Sequence, residues 1–161
     1  MSELKELFLR EPKLTLAVAE SLTCGNAQAH IGRISGASNF FLGGVTAYTI
    51  DQKVKLLGVE RASAAAVNCV SAEVAEQMAR GAAELFGADL ALATTGYAEP
   101  APAQGVAVPF AWWALAHRRS SGWHVQSTRL ECPGATRVQV QAQVTVAAIT
   151  GLLDYLREQR G

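Results

Sequence analysis

The spacing of apolar positions changes several times along the chain, and each change marks an element. Leu14-Thr-Leu-Ala-Val-Ala19, entered from Pro12, is too short for a helix and apolar enough for a strand buried on both faces. It stops at Glu20-Ser21, after which Cys24 to Ile31 reads as a helix closed by Gly32 and the Ser35-Gly36 pair. Phe40 to Tyr48 is a second strand, where Gly43-Gly44 permits a bulge or a close backbone approach. Asp51 is placed to cap a helix that runs to Leu57 and ends at Gly58.

Ser71 then caps a longer helix, with Glu73 in its first turn, an apolar face of Val74, Ala75, Met78, Ala82, Leu85 and Phe86, and a stop at Gly87. Ala88 to Gly96 repeats the grammar of the Leu14 strand, an apolar run ending in hydroxyls and glycine, which predicts two parallel strands with adjacent ends. Tyr97 to Gln104 reads as a loop. Strands at Gly105–His117 and Trp123–Glu131 follow, around a turn at Arg118–Gly122. From Gly134 onward, Val140, Val144, Ala147, Ala148, Leu152, Tyr155 and Leu156 recur at helical spacing. No linker, repeat or low-complexity tract interrupts the pattern. The expectation is a single three-layer α/β/α domain over residues 1–161, with a mixed parallel and antiparallel sheet.

Composition narrows the partners. Of 161 residues, 50% are hydrophobic and 17% charged, which fits one packed core and excludes disorder. Fourteen basic residues balance fourteen acidic ones, so no net field favours nucleic acid or an anionic membrane. The apolar stretches Ala62–Val67 and Val106–Ala116 fall short of the roughly 20 residues a membrane helix needs. Met1 to Arg10 alternates charge with leucine and lacks the features of a secretory signal, so the expected address is cytoplasmic. Cys24, Cys69 and Cys132 stand far apart in no ligand spacing, which predicts free thiols and no structural zinc.

Ligands in open α/β sheets bind beyond the carboxyl ends of parallel strands. That directs attention to Glu20–Asn26, to Thr94-Thr95-Gly96 and to Tyr48 at the end of a third strand. Ser21 and Thr23 can simply cap the helix that follows, or Ser21 can act as a nucleophile. His30, His117 and His124 are poorly placed to activate it. Lys53 is better placed, in the first turn of the helix at Asp51, where the dipole disfavours its charge; alternatively it is an exposed helix lysine beside Lys55. Cys24 is a rival nucleophile or a small buried residue. Glu20 either orients Lys53 or a substrate amide, or satisfies loop N–H groups. The Trp112-Trp113 pair reads as core and interface, and His117-Arg118-Arg119 as a solvated turn.

The series Ala19-Glu20-Ser21-x-Thr23-x-Gly25, Gly36-x-Ser38, Phe41-x-x-Gly44-x-x-Ala47-Tyr48-x-x-x-x-Lys53, Leu57-Gly58-Val59, Gly87-Ala88-Asp89 and Thr95-Gly96-x-Ala98-x-Pro100 resembles the CinA carboxy-terminal domain family, nearly from end to end. The family includes nicotinamide-nucleotide amidases, which hydrolyse the linear amide of nicotinamide mononucleotide to nicotinate mononucleotide and ammonia. The chain looks like a stand-alone form of this domain. The resemblance implies Ser21 as nucleophile, Lys53 as general base and Tyr48 lining the site, an acyl-enzyme intermediate and no cofactor or metal. It also implies substrate contacts from Glu20, Thr23, Cys24, Gly25, Ser38, Thr95 and Gly96. The N–H groups of the Thr23–Gly25 turn would serve an oxyanion or a phosphate, and homo-oligomers are expected.

Several neighbours depart from the family pattern. Cys24 stands where a glycine is usual, Tyr97 to Ala103 replaces a glycine-rich loop and adds Glu99, and Val67-Asn68-Cys69-Val70-Ser71 replaces His-Gly-Ala-Val-Ser. Arg137 is offset from the arginines expected early in the last helix. A phosphate is not favoured beside Glu99. Three readings follow: the nucleotide amidase, a degenerate domain that binds a nucleotide or protein without turnover, and an amidase with an altered, unphosphorylated substrate.

Overall fold

The computed structural model describes residues 2–161. Its sheet has five strands: β1 (Leu16–Glu20), β2 (Phe41–Thr46), β3 (Leu90–Gly96), β4 (Phe110–Arg119) and β5 (Gly122–Glu131), in the spatial order β2-β1-β3-β4-β5. β1 pairs in parallel with β2 and β3, whereas β4 and β5 add an antiparallel half. Helices α1 (Ser2–Leu9), α2 (Asn26–Gly32) and α6 (Arg137–Arg160) belong to one layer, and α3 (Ile50–Leu57), α4 (Arg61–Ala66) and α5 (Ala72–Phe86) to the other. This is the three-layer mixed-sheet architecture expected from the apolar pattern.

The strands sort large and small side chains to opposite faces, as a period of two requires. Leu16, Val18, Leu90, Leu92, Trp113 and Leu115 pack with Phe8, Ile31 and Leu152 from α1, α2 and α6. On the other face Ala17, Ala19, Ala91, Ala93, Ala114 and Ala116 form a shallow floor for Ala75, Met78, Ala79 and Ala82 of α5. Alanine on both surfaces lets α5 lie close to the sheet. A glycine then brings α3 against α5, since a Cβ at Gly81 would stand 2.0 Å from the Leu57 carbonyl oxygen. Through that contact α5 sets the position of the helix that carries Lys53.

Several boundaries differ from the sequence expectation, each for a local reason. Cys24 (φ 47°) and Gly25 (φ 96°) are left-handed, so α2 starts at Asn26 rather than at Cys24. The N-cap of α3 is Thr49, whose hydroxyl accepts from the Gln52 N–H; Asp51 instead pairs with Arg61 at 2.7 Å. β2 is shorter than Phe40–Tyr48 and carries an irregularity, with Leu16 opposite Phe41 and Ala17 opposite Gly43. β4 begins at Phe110, not Gly105, directly after Pro109, which has no N–H for a ladder. Leu85 is 48% exposed and does not share the buried face of α5. His117, Arg118 and Arg119 lie in β4 rather than a turn, and both His117 and Arg119 bond the Tyr155 hydroxyl. Trp112 and Trp113 pack into opposite cores. α1 and α4, which the apolar pattern does not mark, are short, with 8 and 6 residues. Among the described residues, no helix is long and apolar enough to cross a membrane.

Candidate active site

The connection leaving β1 leads to β2 on one side, and the one leaving β3 leads to β4 on the other. A crevice opens where neighbouring strands diverge in this way. Ser21 follows β1 and is joined to β3 by its N–H, which donates to the Thr94 carbonyl at 3.1 Å. Beyond it lies a cavity of about 430 Å³, within the range of small-molecule sites.

Lys53 reaches this crevice from α3. It is only 2% exposed, and its Nζ donates to Ser21 Oγ at 2.9 Å, to the Ala47 carbonyl at 2.9 Å and to the Tyr48 carbonyl at 3.1 Å. Among the described residues no carboxylate stands within ion-pair distance of it. Burial therefore pushes its pKa below the ordinary lysine value, opposed in part by the nearby Cys69 thiol. The three contacts also suit the neutral amine. Two amine hydrogens serve the two carbonyls, which can only accept, and the lone pair is left for the Ser21 O–H. The same geometry that holds an ammonium thus holds a base directed at a hydroxyl.

Glu20, fully buried at the end of β1, has a different task. Its carboxylate accepts from Thr23 Oγ1 at 2.6 Å and from the N–H groups of Ala27 and Gln28 at 2.8 and 3.1 Å. It caps α2 from the preceding strand, and neither Ser21 nor Thr23 does so. Thr23 also bonds Thr94 Oγ1 at 2.8 Å, tying the loop to β3. No buried side-chain nitrogen or oxygen among the described residues lacks a partner. Glu20 makes no hydrogen bond to Lys53 and is not part of the cavity wall.

Of the other anticipated contacts, Tyr48, Thr95 and Gly96 line the cavity, whereas Thr23, Cys24, Gly25 and Ser38 do not. Cys24 is exposed rather than buried, and Ser38 is exposed in the 3-10 turn Ala37–Asn39. His30 and His124 are likewise absent from the cavity wall. The wall also includes residues that the sequence marks only as departures from the family pattern. Asn68 (φ 50°) and Cys69 (φ 62°) form a left-handed corner between α4 and α5, held by Thr95 Oγ1 donating to the Cys69 carbonyl at 2.7 Å. Asparagine tolerates that conformation. Leu22 lines the cavity and belongs to the apolar cluster of Val140 and Val144, and its N–H has no protein acceptor among the described residues. At the rim, Arg137 donates to Glu99 at 3.0 Å and to the Tyr48 hydroxyl at 2.7 Å. Among the described residues no group of three or more His, Cys, Asp or Glu is arranged to hold a metal ion.

Comparison with known proteins agrees with this architecture. The model of the CinA C-terminal domain matches residues 1–156. A CinA-like protein of Chlorobium limicola is 37% identical over 96% of this chain and 36% of its own length, and one of Geobacter sulfurreducens is 41% identical over 94% and 35%. The chain thus spans about a third of the length of these curated relatives. Among solved structures, a CinA superfamily protein of Klebsiella pneumoniae is 25% identical with a TM-score of 0.84, covering 97% of this chain and 94% of that one. A CinA superfamily protein of Escherichia coli is 28% identical with a TM-score of 0.78, covering 92% and 83%. On the sequence match and the shared fold together, the chain belongs to the CinA C-terminal domain family.

Proposed function

We propose that the chain is an amidohydrolase that converts nicotinamide mononucleotide to nicotinate mononucleotide and ammonia, with Ser21 as nucleophile and Lys53 as base. The observation that carries this reading is the 2.9 Å contact between a buried, counter-ion-free lysine and a serine hydroxyl at the wall of a ligand-sized cavity. The substrate comes from the family, whose members include such amidases.

In this mechanism neutral Lys53 takes the Ser21 proton as Oγ bonds to the carboxamide carbon. The carbonyl oxygen becomes an oxyanion. The free N–H of Leu22 is suited to receive it, since that residue follows the nucleophile and faces the cavity. Collapse breaks the C–N bond, and the proton held by Lys53 leaves with the nitrogen as ammonia. Water then attacks the acyl-serine, giving its proton to Lys53, and the acid departs as Ser21 recovers a proton. Lys53 ends neutral, with the carbonyls of Ala47 and Tyr48 holding its amine in place throughout.

Incubation with nicotinamide mononucleotide should release ammonia and nicotinate mononucleotide in equal amounts. A second reading, a domain that binds the nucleotide without turnover, draws on the altered rim at Glu99 and Arg137. It requires saturable binding with no ammonia.

A further inference from the structure

The cavity is charged at two separate places. Lys53 lies at the buried wall and is committed to Ser21 and two carbonyls. The remaining charges on the lining are Arg137 and Glu99, at the solvent-facing rim, with side chains 44% and 62% exposed. Their 3.0 Å pair and the 2.7 Å bond from Arg137 to the Tyr48 hydroxyl bring together residues from three separated segments. A carboxamide placed against Ser21 directs the rest of its molecule toward this rim. The charge balance there decides what the far end of the substrate can be.

We propose that Glu99 determines specificity as a resident anion on Arg137, competing with a phosphate at the far end of the substrate. This rests on the amidase reading of the same cavity. A phosphate approaching the rim meets one available guanidinium whose fork is already shared between a carboxylate and a phenol. It must displace Glu99 and remain beside its charge. The displaced pair is largely solvated, so it is weak and the competition is a matter of degree. The nicotinamide nucleotide and its unphosphorylated nucleoside are therefore handled almost alike by this chain. Glu99→Gln keeps a hydrogen-bond acceptor for Arg137 and removes the competing charge.

The test compares kcat/KM for nicotinamide mononucleotide with that for nicotinamide riboside, at low fixed ionic strength. The proteins are wild type, Glu99→Gln, Arg137→Gln and the double variant. Dissociation constants for both compounds are measured in parallel on the same rim substitutions in a Ser21→Ala background, where no turnover is needed. Wild type should discriminate by less than about threefold, and Glu99→Gln should raise the preference for the phosphorylated compound by about two- to fivefold, the scale of a mostly solvated charge contact. The gain should vanish in the double variant. An unchanged preference in Glu99→Gln, or a gain that survives without Arg137, overturns the proposal. If no variant turns over either compound while the binding preference shifts as stated, the amidase reading falls and the role of Glu99 stands. Turnover with an unmoved preference overturns Glu99 alone.

Discussion

Replacing Glu20 by glutamine separates a structural carboxylate from a substrate-binding one. The wild-type carboxylate accepts three hydrogen bonds, from Thr23 Oγ1 and the N–H groups of Ala27 and Gln28. Glutamine retains one acceptor oxygen, which serves Thr23 and Ala27 through Oε1, and turns an NH2 toward the Gln28 N–H. Each retained bond loses its charge assistance, about 1 kcal/mol, and the orphaned N–H costs about 1–3 kcal/mol. Relief from burying a carboxylate offsets part of this. The net expectation is destabilisation by about 1–3 kcal/mol, which for a domain of this size lowers Tm by about 3–10 °C. Thermal and urea unfolding followed by circular dichroism measure it. The Lys53–Ser21 contact does not involve Glu20, so well below the Tm the variant should bind nicotinamide mononucleotide with little change. Undiminished stability combined with lost affinity would refute the capping argument and return Glu20 to the substrate.

Gly81→Ala tests whether α5 positions the base. Its Cβ would lie 2.0 Å from the Leu57 carbonyl oxygen, so α3 must move; overpacking costs about 1–3 kcal/mol against a helix-propensity gain near 1 kcal/mol. Turnover should fall by about a hundredfold, the effect of an ångström of misplacement, and near wild-type turnover would show that α3 absorbs the methyl without moving Lys53. Turnover should also rise with pH and level off once Lys53 is neutral, with an inflection below the ordinary lysine value of 10.5 because burial disfavours the ammonium. A flat profile, or an inflection at 10.5, would remove Lys53 as the base. His117 titrates below its ordinary 6.5, chiefly through burial and then through Arg119, so the unfolded chain binds the proton more readily. Its contribution is present above pH 6.5 and lost as pH falls through the lower folded value. Urea midpoints for His117→Gln should therefore decline less steeply from pH 7 to 5 than those for wild type, and parallel declines would contradict this.

Most strands were legible because buried parallel strands need unbroken apolar runs, as in Leu16–Glu20 and Leu90–Gly96. Lys53 was legible as a candidate for the site because its distance from a helix start and from Tyr48 placed it near the strand ends, and the structure puts its amine on Ser21. Other features lie beyond local reading. The cap of α2 comes from Glu20, back across a left-handed turn, so a search for a residue adjacent to the helix finds Ser21 and Thr23 instead. Thr49 and Asp51 are both cap types two positions apart, and only the backbone of Thr49, extended at φ −101° and ψ 161°, decides between them. Arg137 meets Tyr48 across 89 positions and Glu99 across 38, contacts that no periodicity encodes.

The central claim is that Ser21 and Lys53 act as a nucleophile and base on an amide. The most direct measurement follows ammonia and nicotinate mononucleotide together for wild type, Ser21→Ala and Lys53→Ala, each shown to be folded and to bind the substrate. The account predicts equimolar products from wild type and a loss of at least about a thousandfold in each variant, as for other nucleophile and base deletions. Turnover that persists in Ser21→Ala, or a folded wild type that binds the nucleotide and releases no ammonia, would contradict it.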